Sequence, residues 1–210
     1  MKKIDNNHIG GLILAGGKSR RMNFFDKSFK KIQKKTLIDL VLNKARKQVF
    51  DIAINSNSLS FTKIDSSLEL LEDIVPGQLG PLAGILTGLE WIKKKKLKWL
   101  VTFPVDSPFF PENLVEIFFS NLDDEKIIIA KSNERIHPVF SMWNIELIEP
   151  LKKALDKNIR KIDEFTKNFK FKVVNFPIID YDPFFNINNE EDLLKAEQIY
   201  KLILEQKIRG

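Results

Sequence analysis

A chain of 210 residues, 43% of them hydrophobic, has the material for one α/β domain with a sizeable core and is too apolar for a disordered chain. It has no cysteine, which excludes disulfides, thiolate metal sites and a thiol nucleophile. A net charge of +6 admits nucleic acid, an anionic surface or a polyphosphate ligand. Most of the excess is lysine spread along helical patterns, as in "IKKKKLK" between Trp91 and Trp99, so neither nucleic acid nor membrane is expected as a partner.

In chain order, "MKKIDNNHIG" carries charge but no apolar h-region, so residues 1–8 are expected to be a tail rather than a signal peptide, and His8 a solvated tail residue. A buried strand is expected over 11–16. An amphipathic helix follows over 36–50, with Thr36 as its cap and Asp39 three residues on, close to a capping box. Short β-rich runs mark strands over 51–56 and 68–73. Pro81 opens a helix over 81–96, a strand covers 98–104, and Pro111 opens a second helix over 111–120. Two strands, 126–132 and 135–143, meet at a turn over 132–134. Helices over 146–155 and 160–167, a strand over 171–176 and a closing helix over 190–208 complete the chain.

This alternation of strands and helices predicts a Rossmann-like three-layer α/β sandwich, with a mostly parallel central sheet and helices on both faces. No repeat or linker breaks the pattern, so residues 1–210 are expected to form a single domain. No apolar run approaches the ~18 residues of a membrane span. A cytoplasmic monomer is the expectation.

Ligands of open α/β sheets bind outside the carboxyl ends of the strands, so the residues that follow each strand matter most. After the first comes "AGGKSRRM", after the second "NSN" at 55–57, after the third Glu72 and Asp73, and after the fourth "PVDSP" with Asp106. Glycines, cations, amides and carboxylates therefore converge on one edge. The first loop is neither a P-loop nor a dinucleotide fingerprint. Gly16 and Gly17 nevertheless allow a ligand close to the backbone and an anion-binding nest.

Arg21 and Lys27 are placed to contact phosphate oxygens, while Lys18 and Arg20 read equally well as surface cations. Phe24 and Phe25 lie in the same loop, where a flat ring could stack. Asp106, between two prolines, suits Mg²⁺, which takes one or two carboxylates plus phosphate oxygens; the plainer reading is a loop-shaping Asx turn. Asp73 and Asn55 also read as strand-end surface or turn residues, and His137 as a satisfied structural histidine.

At this point the residues become recognisable. "LILAGGKSRRMNFFDK" resembles the nucleotidyltransferase motif L-A-G-G-x-S-x-R-M-G-x-D-K, and in particular the molybdenum cofactor guanylyltransferases, which join GMP from GTP to molybdopterin. The similarity continues with "NSN", "LLED" ending at Asp73, "GPLAGI", "PVDSPFFP", His137-Pro138 and "FFNINNEEDL". Related cytidylyl- and sugar-nucleotidyltransferases more typically read L-A-A-G.

The resemblance implies the nucleotide-diphospho-sugar transferase type of fold and a Mg²⁺-dependent transfer. By position, Leu14, Ala15, Gly16 and Gly17 would line the guanine and phosphate loop. Arg21 and Lys27 would bind the triphosphate, Asn55 and Asp73 the base and ribose side, and Asp106 both Mg²⁺ and nucleotide. His137, Asn186 and Asn188 would lie on the acceptor side. A transient complex with a molybdenum insertase or a client-enzyme chaperone is also implied.

Two positions depart from the family pattern. Asn23 stands where the motif has glycine, and Asn188-Asn189-Glu190-Glu191 where the late block reads N-T-P-E. Three other functions keep part of this reading: a cytidylyl- or sugar-phosphate nucleotidyltransferase, a GTP-binding module without catalysis, and a nucleic-acid binder whose affinity falls steeply with salt.

Overall fold

The computed structural model describes residues 8–15, 27–58, 61, 67–77 and 80–209. Its centre is a seven-stranded sheet in the order β5-β4-β1-β6-β8-β7-β9. The strands are β1 (Ile9–Leu14), β4 (Asp51–Asn55), β5 (Glu69–Leu71), β6 (Trp99–Pro104), β7 (Ile127–Ser132), β8 (Arg135–Asn144) and β9 (Phe171–Phe176). β8 alone runs against the other six, so the sheet is mostly parallel as expected. A two-stranded hairpin, β2 (Lys31–Ile32) with β3 (Lys35–Thr36), precedes the first helix. Strands of two residues carry too little alternation to be seen in a sequence pattern.

Successive side chains of a strand point to opposite faces, and the two main cores follow that rule. Ile13, Ile52, Ile54, Val101, Phe103, Ile128 and Ala130 pack under α1 (Leu37–Ala45) and α3 (Leu114–Ser120). Leu12, Ala53, Leu100, Ile127 and Ile129 pack under α2 (Pro81–Lys94), α4 (Ile148–Asp156) and α5 (Ile162–Thr166). These are the three expected layers. A smaller third cluster, with Ile32, Leu37, Phe109, Ile187 and Ala196, seats α6 (Glu190–Arg209) against the hairpin and the loop after β6.

Local signals set most element ends. Thr36 caps α1 in a full capping box: its Oγ1 accepts from Asp39 N at 3.2 Å and Asp39 Oδ2 accepts from Thr36 N at 3.3 Å. α1 ends at Ala45, short of Phe50, because the chain turns there to enter β4. α3 begins at Leu114, three residues beyond Pro111. Buried Gln48 accounts for that delay: its Nε2 donates to Pro111 O at 3.1 Å and its Oε1 accepts from Val115 N at 3.1 Å. A side chain from the end of α1 thus satisfies groups at the start of α3.

α2 sits unusually close to the sheet. Gly80, at φ 78°, opens it in the left-handed region that glycine tolerates. At Gly84 a Cβ would lie 2.4 Å from Asn55 Oδ1 and 2.9 Å from Leu14 Cδ2, so glycine there lets the first turns of α2 rest on the ends of β4 and β1. Both neighbours are strand-end residues with little freedom to move. Gly84→Ala is therefore expected to cost about 1–3 kcal/mol through overpacking, more than the ~1 kcal/mol that alanine gains over glycine in a helix. Urea unfolding followed by tryptophan fluorescence checks this. A variant as stable as the parent would mean that α2 lifts away from Asn55 at no cost.

Candidate functional site

The parallel strands β5, β4, β1 and β6 end on one edge, and β1 lies where the chain switches from building outward through β4 and β5 to crossing over to β6. In open α/β sheets such a switch point is where ligands bind. Leu14 is the last residue of β1. Ala15 follows, with its N–H donating to Asn55 O at 3.0 Å, and Leu14 O accepts from Val105 N at 3.1 Å. The chain leaving β1 is thus held on both sides, by the ends of β4 and β6. Gly16, Gly17, Arg21 and the other residues of that loop, with Lys18, Arg20, Asn23, Phe24 and Phe25, lie outside the described residues.

On the β6 side, three distant segments meet. Lys27 begins a short 3-10 turn, Lys27–Phe29. Its Nζ donates to Asp106 Oδ2 at 2.8 Å and to Asn188 Oδ1 at 3.0 Å. The Lys27 side chain is only 14% exposed and that of Asp106 24%, so this pair is partly withdrawn from water and each charge needs the other. Asp106 O accepts from Ile187 N at 2.9 Å, which ties the segment around Asn186 and Asn188 to the loop after β6. The structure brings Lys27, Asp106 and Asn188 together, from three of the sequence blocks.

On the β4 side, Asn55 and Asp73 form a second cluster. Asn55 Nδ2 donates to Asp73 Oδ1 at 3.0 Å and to Leu71 O at 3.1 Å. Asn57, not singled out from the sequence, donates from Nδ2 to Asp73 Oδ2 at 3.0 Å and accepts from Asp73 N at 2.9 Å. Asp73 is thereby oriented by two amides as an acceptor-only group at the strand edge. Its membership of "NSN" was the available signal for Asn57.

His137 joins neither cluster. It is buried, and its Nε2 lies 2.7 Å from Ser132 Oγ. Ser132 Oγ in turn donates to Asp182 Oδ1 at 2.8 Å, and Phe184 N donates to the same oxygen at 2.9 Å. A hydroxyl has one proton and Asp182 takes it, so the hydrogen-bond pattern assigns the Nε2 proton to His137 as donor. The ring packs on Phe184 with centroids 4.7 Å apart. A bulge in β8 makes this possible: Ile129 pairs with Ser141 but the next residue, Ala130, pairs with His137, so 138–140 bow out of register. These are the surroundings of a buried, hydrogen-bonded imidazole. Its partners Ser132 and Asp182 were missed because they lie 5 and 45 residues away, with no spacing rule to join them.

A divalent cation would need hard oxygen donors. Asp106 supplies a carboxylate, Asn188 an amide oxygen, and Asn186 Oδ1 is buried with no hydrogen-bond partner among the described residues. Among those residues no group of three or more acids, histidines or cysteines could hold a metal ion. One carboxylate with amide oxygens suits Mg²⁺ carried in part by phosphate oxygens, and does not suit an all-protein cage.

Burial pushes the His137 imidazole below its usual pKa; the carboxylate of Asp182 pulls it back up in part, and Arg135 adds to the lowering. The folded state then binds fewer protons than the unfolded state as pH falls through about 6.5, so stability is lost on acidification through that range. His137→Asn removes this contribution. Denaturant unfolding at neutral pH and near pH 5 is expected to show a smaller acid loss in the variant than in the parent. Equal losses would mean that the His137 environment does not penalise its charged form.

A family profile described as "MobA-like NTP transferase domain" matches residues 11–169. A molybdenum cofactor guanylyltransferase of Bradyrhizobium sp. is 36% identical over 196 residues, covering 91% of this chain and 92% of the relative. One of Haemophilus influenzae is 35% identical, covering 90% and 97%. Among solved structures, molybdopterin-guanine dinucleotide biosynthesis protein A of Archaeoglobus fulgidus is similar with a TM-score of 0.72 at 25% identity, over 91% of this chain and 98% of that one. The 4-diphosphocytidyl-2C-methyl-D-erythritol synthase of Anaerococcus prevotii shares the fold, with a TM-score of 0.73 at 15% identity over 94% and 98% of the two chains.

Proposed function

Because the chain belongs to the molybdenum cofactor guanylyltransferases, we propose that it transfers GMP from GTP to the terminal phosphate of molybdopterin and releases pyrophosphate. The observation that carries the reading is the meeting of Lys27, Asp106 and Asn188 at the carboxyl edge of β6, beside the end of β1. An oxygen of the molybdopterin phosphate forms a bond to the α-phosphorus of GTP. The bond from that phosphorus to the β-phosphate oxygen breaks, and pyrophosphate leaves with the electron pair. The nucleophile is already an anion, so no strong base is required. The obstacle is repulsion between two anions, and positioning with electrostatics must overcome it.

Lys27 supplies a cation that can turn from Asp106 to the triphosphate, with Arg21 assigned beside it on sequence grounds. Leu14 and Ala15 offer backbone to the guanine and phosphates, with Gly16 and Gly17 assigned to the same role on sequence grounds, and the Asn55–Asp73 pair faces the base and ribose side. Asp106, with the amide oxygens of Asn186 and Asn188, would hold Mg²⁺. When bound there, Mg²⁺ supplies positive charge against the phosphate oxygens. We extend the reading to a monomer working in the cytoplasm, in transient contact with a molybdenum insertase or a client-enzyme chaperone. Among the described residues no helix is long and apolar enough to cross a membrane.

The test is calorimetry with GTP, CTP, UTP and ATP in the presence of Mg²⁺, followed by pyrophosphate release with molybdopterin. GTP is expected to bind best. Asp106→Ala is expected to lower turnover by about a hundredfold or more with the fold intact. Preference for CTP or UTP would move the protein to a cytidylyl- or sugar-nucleotide reaction. Near-parental turnover in Asp106→Ala would remove that carboxylate from the chemistry.

A further inference from the structure

The segment that carries Asn186 and Asn188 is pinned at both ends. At its far end Ile187 N donates to Asp106 O, and Asn188 Oδ1 accepts from Lys27. At its near end Asp182 Oδ1 accepts from both Ser132 Oγ and Phe184 N, while Phe184 is buried against His137, Phe140 and Phe176. Of the far anchors, the Lys27 ammonium is one that substrate binding must recruit, since it faces the triphosphate in the proposed function, which leaves the backbone bond from Ile187 to Asp106 O. The near anchor contains no such group. It is a chain of three side chains from His137 through Ser132 to Asp182, and Ser132 and His137 in it are buried.

We infer that Asp182, acting through Ser132 and His137, is a positioning residue that keeps the segment 182–188 in place when Lys27 turns from Asn188 to substrate. The inference rests on the guanylyltransferase reading only for which substrate feels the loss. Each link has a defined donor. His137 Nε2 donates to Ser132, Ser132 donates to Asp182, and the second bond to Asp182 comes from the backbone of the segment itself. Replacing Asp182 by alanine removes the shared acceptor and frees Phe184 N. Replacing it by asparagine keeps an oxygen that can accept both bonds. A role in charge alone would not be rescued by asparagine, whereas a role as acceptor would. Asp182 is partly exposed on a loop, so both variants are expected to fold.

Hydrogen exchange read by mass spectrometry tests the inference without any substrate. In Asp182→Ala, exchange in peptides covering 184–188 is expected to rise about tenfold or more, with β1 and β6 unchanged. Asp182→Asn is expected to exchange like the parent. In pyrophosphate-release assays Asp182→Ala is expected to raise KM for molybdopterin about fivefold or more while KM for GTP stays within about twofold. Unchanged exchange over 184–188 in Asp182→Ala would overturn the inference, and so would a uniform rise across the chain or an asparagine variant that behaves like alanine. A parent protein that makes no pyrophosphate with molybdopterin would instead overturn the guanylyltransferase reading, and the exchange result would still decide the role of Asp182.

Discussion

An ammonium group with most of its surface withdrawn from water must find partners, and Lys27 finds them in two segments far from its own. Asp106 lies 79 residues away and Asn188 161 residues away. Their meeting depends on the order of the sheet. β1 must sit beside β6 for the chain after β1 to reach the loop after β6, and α6 must return to that edge for Asn188 to arrive. Leaving either charge of a half-buried pair without its partner is costly, so this contact also ties the start of the closing helix to the carboxyl edge of the sheet. The same pair limits what can enter there, because a group that displaces the carboxylate from Lys27 must bring negative charge of its own or strand the cation.

The two clusters at the edge differ in chemistry. The β4 side is built from amides and one carboxylate, Asn55, Asn57 and Asp73, whose mutual bonds hold an acceptor-only group steady. Such a group recognises N–H and O–H donors, which bases and riboses carry and phosphates at neutral pH largely lack. The β6 side is built from a cation, a carboxylate and amide oxygens, which match phosphate and its counter-ion. The end of β1 lies between them and offers backbone. Close packing of Gly84 on Asn55 keeps the first side from drifting.

The layers, the mostly parallel sheet and the convergence of Lys27 and Asp106 on one edge of it were legible in the sequence for one reason: each depends on a local pattern followed by a rule about strand ends. Alternation at Leu12, Ile13, Ile52, Ala53 and Ile54 assigns the two faces directly. The delayed start of α3 was not legible, because Gln48 acts on Pro111 and Val115 from another element. The chain from His137 to Asp182 was hidden for the same reason, compounded by a bulge that no propensity marks. Side-chain to side-chain bonds across long separations leave no periodic trace, and they decide how a loop is held once the strands have placed it.

The late block shows how a departure from a family pattern can be absorbed. A proline at the start of a helix pre-sets the backbone and gives up an N–H that would go unsatisfied anyway. Here Asn189 and Glu190 stand in that region instead. Asn189 Oδ1 accepts from Asp192 N at 2.8 Å, and Asp192 Oδ2 accepts from Asn188 N at 2.9 Å, one residue ahead of the cap. Glu190 and Glu191 put negative charge in the first turn, which favours the helix start, and Glu190 Oε1 accepts from Lys30 Nζ at 2.6 Å. Conformational restriction by a ring has been exchanged for side-chain capping and an exposed tie to the hairpin region. The bond from Asp192 acts on the backbone of Asn188, the residue whose side chain meets Lys27. In this chain the stability of the α6 start and the placement of the Asn188 amide are therefore coupled through one bond.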